Sequence, residues 1–151
     1  MFEDHSMTQT ESIQTTTVSE INPDRLLAEL KSAIQTTLFT STLRVSPRQV
    51  NQFAQETAAS FLKFLNQEDE AVIRIYGQQL AQAGLGHQSI LALSEALRRV
   101  CWENPNPGVA VLPAAGRYAN ALLLGYMAER EAHILREQER THQAFLRTQA
   151  P

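Results

Sequence analysis

Apolar positions recur along this chain at three- and four-residue steps, with polar residues between them, and that spacing predicts helices rather than strands. Leu26, Leu27, Leu30, Ile34 and Leu38 share one face of a first helix running to about Phe39. Its start is marked by Asn22 as cap, Pro23 at the first helical position and Asp24 in the first turn. A second start lies at Ser46-Pro47, after which Val50, Phe53, Ala54, Thr57, Phe61 and Leu65 share a face until about Asn66. A third helix opens near Asp69 and Glu70, directs Val72, Ile73, Tyr76 and Leu80 inward, and ends at Gly84 in the left-handed position. A fourth runs from about His87 to Glu103 with Ile90, Leu91, Leu93, Leu97 and Val100 as its apolar set. Asn104-Pro105-Asn106-Pro107-Gly108 then breaks the pattern.

The stretch from about Pro113 to Thr148 is the longest. It contains no proline after Pro113 and is dominated by Ala, Leu, Glu, Arg and Gln, all strong helix formers. As one helix it would be roughly 50 Å long, against about 30 Å for a small domain, so part of it must project. Its first half is apolar on most sides, through Leu112, Tyr118, Leu122, Leu123, Tyr126 and Met127. Its second half is charged with a thin apolar line. Leu123, Met127, Ile134 and Thr141 fit a heptad seam, polar at its last position, and Phe145 and Leu146 resume the line out of phase. The expected fold is therefore all-α: a bundle of about five helices with a long C-terminal one, and antiparallel packing of neighbours across short connections. The expected organisation is a flexible arm over 1–21, a bundle over 22–127 and a projecting charged helix over 128–151.

Composition narrows the function. With 43% hydrophobic residues in 151, the chain can bury one sizeable core. The net charge is −3, and the first 22 residues hold Glu3, Asp4, Glu11 and Glu20 without a basic residue, so no basic footprint for nucleic acid exists. One cysteine, Cys101, excludes an internal disulfide and suits a reducing compartment. With neither a membrane-spanning apolar run nor a secretory leader pattern, a cytoplasmic protein is expected.

Candidate chemistry is sparse. Gly84-Leu85-Gly86 lacks the third glycine and preceding strand of a phosphate cradle and reads as a helix end with a turn. Cys101 beside Trp102 reads as a small buried hydrophobe, and no nucleophile elbow or triad is present. Glu129, His133 and Glu137 share a helix face, and Glu139 with His142 has the Glu-x-x-His spacing of di-iron bundles, but the required second copy is missing. His87 or His133 would be the ligand in a haem- or chromophore-binding alternative, which needs a deep apolar pocket. The expectation is no catalytic, cofactor or metal residues, and a chain built to bind or to pair.

The run Tyr76-Gly77-Gln78-Gln79-Leu80-Ala81-Gln82-Ala83-Gly84-Leu85, followed by Ile90-Leu91-Ala92-Leu93 and the Arg/Glu/Gln-rich Glu129 to Arg140, resembles a family. It is similar to the N-terminal regulatory domains of bacterial stressosome co-antagonists of the RsbR type and related signalling proteins, over about residues 46 to 148. The resemblance implies a globin-like or bundle-like helical sensor that dimerises, usually without haem, and whose last helix runs on into an output domain, typically a STAS domain. Residues 1–151 do not contain such a domain, so the implied recipient is a further domain or a partner acting in trans. A homodimer would use Leu123, Met127, Ile134 and Thr141, and a small-molecule ligand is one form the stimulus could take.

Overall fold

The computed structural model describes residues 21–40, 45–103 and 111–149. These form five α-helices and one 3₁₀ turn, with no strand among the described residues: α1 Pro23–Thr36, the turn Leu38–Thr40, α2 Pro47–Gln67, α3 Glu70–Gln82, α4 His87–Trp102 and α5 Val111–Gln149. The all-α bundle with a long last helix is the expected class. The arm expected over residues 1–20 and the proline-rich breaker at 104–108 lie outside the described residues. No helix among the described residues is long and apolar enough to cross a membrane.

The helix starts follow from local chemistry. Asn22 accepts from the backbone N–H groups of Asp24 and Arg25 at 3.0 and 3.4 Å. Ser46 and Gln49 form a reciprocal capping box, and Asp69 accepts from the Ala71 amide at 3.2 Å. Ile21, at the end of the expected arm, is buried. It sits just before the Asn22 cap, and Leu26, buried four residues into the helix, completes the apolar staple that fixes the chain's entry. Pro113 falls in the first turn of α5, where a missing N–H costs no intrahelical bond.

Two helix ends differ from expectation. α1 stops at Thr36 and tightens into the 3₁₀ turn, leaving Phe39 exposed. α2 runs past Asn66 to Gln67 and closes with Glu68 at φ 44°, a left-handed position held by a non-glycine residue. The Glu68 carboxylate is ion-paired with Arg117 of α5 at 2.7 Å, which ties this strained corner to the long helix.

The core is shared by all five helices. Leu26, Leu30 and Ile34 of α1 meet Leu93 and Leu97 of α4, with Phe61 and Phe64 of α2 and Tyr118 and Leu122 of α5 in the same apolar cluster. Phe61 and Phe64 meet the Tyr118 ring edge-on, with centroids 5.2 and 5.6 Å away. Val72, expected to face inward, and Leu91, one of the apolar set of its helix, are exposed. Gly77 and Ser94 are buried instead, because close backbone approach and a hydroxyl satisfied by the Ile90 carbonyl at 3.0 Å suit those faces.

α3 packs more extensively on α5 than any other pair does. The pair runs in the same direction. Glu68, before α3, meets Arg117; Gly77 meets Leu122 and Tyr126; and Ala81 to Leu85 share a cleft with Glu129 to Ile134. Antiparallel neighbours were expected, but this dominant pair is not consecutive in sequence, because α4 returns between its members.

Candidate functional site

The region that links bundle to exterior is where α5 crosses α3 and leaves the body. The crossing is backbone on backbone. A methyl group on Gly125 would fall 2.7 Å from the Arg74 carbonyl carbon and 2.8 Å from its Cα. A methyl on Gly77 would lie 2.9 Å from the Tyr126 backbone nitrogen and would collide with the Leu122 carbonyl oxygen. Each helix therefore needs glycine where the other passes. Neither residue was singled out as a contact in the sequence, since one isolated glycine in a helix pattern does not say what approaches it.

Just beyond the crossing, the Tyr126 hydroxyl donates to the Leu85 carbonyl at 2.6 Å and accepts from Arg130 at 3.1 Å. That pins α5 to the α3–α4 turn. Gly84 shapes this turn at φ 88°, and the Leu85 amide reaches back to the Leu80 carbonyl at 3.2 Å. The run Gly84-Leu85-Gly86 is thus a helix end and a turn, as its residues predicted. A cleft of about 410 Å³ lies here between Ala81, Gly84 and Leu85 on one side and Glu129, Arg130 and His133 on the other. Glu129 is ion-paired with Arg136 at 2.9 Å.

Tyr126 is the last buried residue of α5, and Glu129, Arg130 and Ala132 are half-buried. His133 to Gln149 are exposed throughout, a run of about 25 Å at 1.5 Å per residue. Along the outside lies a stripe of large apolar side chains: Leu124, Met127, Ile134, Leu135, Phe145 and Leu146, between 48% and 63% exposed. At 100° per residue they occupy an arc of about 120°, roughly opposite the side buried in the bundle. Of the heptad residues, Met127 and Ile134 lie on this stripe. Thr141 is exposed at its margin with its hydroxyl bonded back to the Glu137 carbonyl at 2.9 Å, and Leu123 is half-buried against the core. The recurring unit is an adjacent apolar pair every eleven residues: Leu123-Leu124, Ile134-Leu135 and Phe145-Leu146. Heptad spacing made this look out of phase. An eleven-residue period, close to the natural helix repeat, keeps the stripe nearly straight along α5.

The remaining candidates stay apart or exposed. His87, the first residue of α4, is exposed and lacks the deep apolar surroundings a haem ligand needs. His133, Glu137 and His142 border a shallow groove on α5 itself with Ile134 and Phe145, and among the described residues no second helix lines it. Among the described residues no group of three His, Cys, Asp or Glu side chains could hold a metal ion. Glu137 is ion-paired with Arg140 at 3.3 Å, and Glu139 accepts from Gln143 at 3.3 Å. Cys101 is buried, and burial raises its thiol from 9.0 to about 11, which suppresses nucleophilicity at neutral pH.

A half-open apolar cleft of about 300 Å³ separates α2 from α3, lined by Phe64, Val72, Ile73, Ile75 and Tyr76 with Ser60 and Lys63 at its border. The Tyr76 hydroxyl shares a hydrogen bond with Thr57 at 2.8 Å. Its pKa is pushed up to about 12 by burial, with Glu56 adding to the rise and Thr57 opposing it.

No known family, curated protein or solved structure matches this chain.

Proposed function

We propose that this chain is a non-enzymatic bacterial signalling module: a cytoplasmic helical sensor and dimerisation domain that relays a signal along α5 to an output domain or partner. The observation that carries this reading is the double role of α5. One uninterrupted helix supplies the bundle's core through Tyr118, Leu122 and Tyr126 and then presents the outward apolar stripe beyond it. A change in how α3 seats on Gly125 would therefore reach the exposed half without passing through a loop. The α2–α3 cleft offers a place for a small apolar ligand to act on α3, on a side distinct from its glycine contact. The resemblance of residues 46–148 to stressosome-type regulatory domains supports the same reading.

The test is sedimentation equilibrium of the purified protein beside Leu135→Glu. A dimer is expected for the parent chain and a monomer for the variant, with equal helical content by circular dichroism. A parent chain that remains monomeric at the highest concentrations reached overturns the proposal.

A further inference from the structure

The outward stripe of α5 is large enough to need a cover. Six half-exposed apolar side chains at roughly 100 Å² each give about 600 Å² per copy, at the top of what monomers commonly leave in water. Two such faces together reach about 1,200 Å², the lower end of a stable interface. The stripe is also directional. From Leu124 to Leu146 it carries Glu131, Gln138 and His142 among its apolar residues.

Two identical stripes can meet in two ways. Parallel and in register, Glu131 meets Glu131 and Phe145 meets Phe145, and Glu137 on one flank approaches Glu139 on the other; Arg140 offsets Glu137, but no basic residue on the stripe offsets the Glu131 pair. Antiparallel about the midpoint between Arg136 and Glu137, Glu131 meets His142, whose imidazole can donate to a carboxylate in either protonation state. Bulky Phe145 then meets small Ala128, Met127 meets Leu146, and Leu135 lies on the aliphatic stem of Gln138. The stripe itself then holds no like-charged pair; on its flanks Glu137 approaches its twin, and Arg140 offsets it here as it does in the parallel arrangement. Opposed helix dipoles add to the same preference.

We infer that a second copy of this chain covers the stripe, with the two α5 helices antiparallel and centred between residues 136 and 137. The inference rests on the dimerisation reading above and adds its geometry. Each projecting half then lies on the partner's α5 where that helix leaves its own bundle, so the exposed end of one protomer contacts the exit point of the other.

Double electron–electron resonance on two singly labelled variants tests it. Thr148→Cys and Glu137→Cys each carry one nitroxide on the exposed half of α5, and buried Cys101 stays unlabelled. The antiparallel pair places residue 148 opposite residue 125 of its partner, so the two 148 labels lie about 35 Å apart, while the two 137 labels lie within about 20 Å. A 148 distance below about 20 Å overturns the antiparallel geometry and leaves the dimer standing. Absence of dipolar coupling at both positions overturns the geometry and the dimerisation reading together.

Discussion

The two halves of α5 belong to one unbroken helix and are held by different forces. Between Val111 and Tyr126 the helix is fixed by what surrounds it: Tyr118 among the rings of α2, Gly125 against the Arg74 backbone, and the Tyr126 hydroxyl on Leu85. Between His133 and Gln149 it is held by its own propensity and by local pairs, such as Glu137 with Arg140 and Glu139 with Gln143. Such pairs contribute a few tenths of a kcal/mol each, and an isolated helix of about 17 residues is marginal in water. The comparison teaches that helix in the outer half is continued from the bundle rather than earned locally, and that its apolar stripe contributes nothing to the core.

The sharpest way to break this contrast is at the crossing. Gly125→Ala forces a methyl into the Arg74 backbone, and a loss of at least about 3 kcal/mol is expected, a fall of roughly 10 °C in Tm by circular dichroism. An unchanged midpoint would mean that the helices do not meet at backbone distance.

Alkaline pH comes next, because it acts on the bundle. Burial raises Tyr76 to about 12 and Cys101 to about 11, and raises Tyr118 as well. The unfolded chain releases these protons first. Stability from these groups is therefore intact below about pH 9 and is lost as pH rises through the folded values. Urea titrations at pH 8, 9 and 10 should show falling midpoints, and Cys101→Ala should reduce the slope. A midpoint that rises over this range contradicts the assigned burial.

Tyr126→Phe removes the bond to Leu85 and leaves that carbonyl without its side-chain donor, at a cost of about 1–2 kcal/mol in chemical unfolding. Hydrogen exchange should then quicken at the start of the projecting half before it does in α1. Gly116 gives the opposite sign, since nothing lies within 4 Å of where its methyl would be. Gly116→Ala should raise stability by about 0.5–1 kcal/mol, and a loss would reveal an unseen neighbour. The smallest change in folding belongs to Leu135→Glu, under about 0.5 kcal/mol for the dilute protein, although the same substitution is expected to abolish pairing. A large loss of stability there would place residue 135 inside the fold.

What was legible in the sequence is what depends on neighbours in the chain. Asn22-Pro23, Ser46-Pro47 and Asp69 mark their helices because a cap is satisfied within three residues. Gly84 was readable for the same reason. Glu68 was not, because its left-handed backbone is supported by Arg117, 49 residues away. The close approaches at Gly77 and Gly125 are not legible, because glycine in a helix is only a weak helix former until the crossing backbone is known. Val72 and Leu91 show the limit of periodicity: it finds an apolar face, but the packing partner decides how wide that face is. The apolar line of α5 is legible as a heptad seam with a break in phase; the eleven-residue repeat describes the same line, and Leu123 belongs both to it and to the edge of the core.

The glycine crossing also fixes a mechanical ratio. From Gly125 to Gln149 the helix extends about 36 Å with no break. With no side chain between the two backbones, the contact behaves as a hard fulcrum. A change of about 10° in the angle at which α5 leans on α3 displaces the far end by about 6 Å, more than one helical turn. α5 thus has the proportions of a lever whose short arm lies in the core, and angstrom-scale repacking there is magnified at its far end.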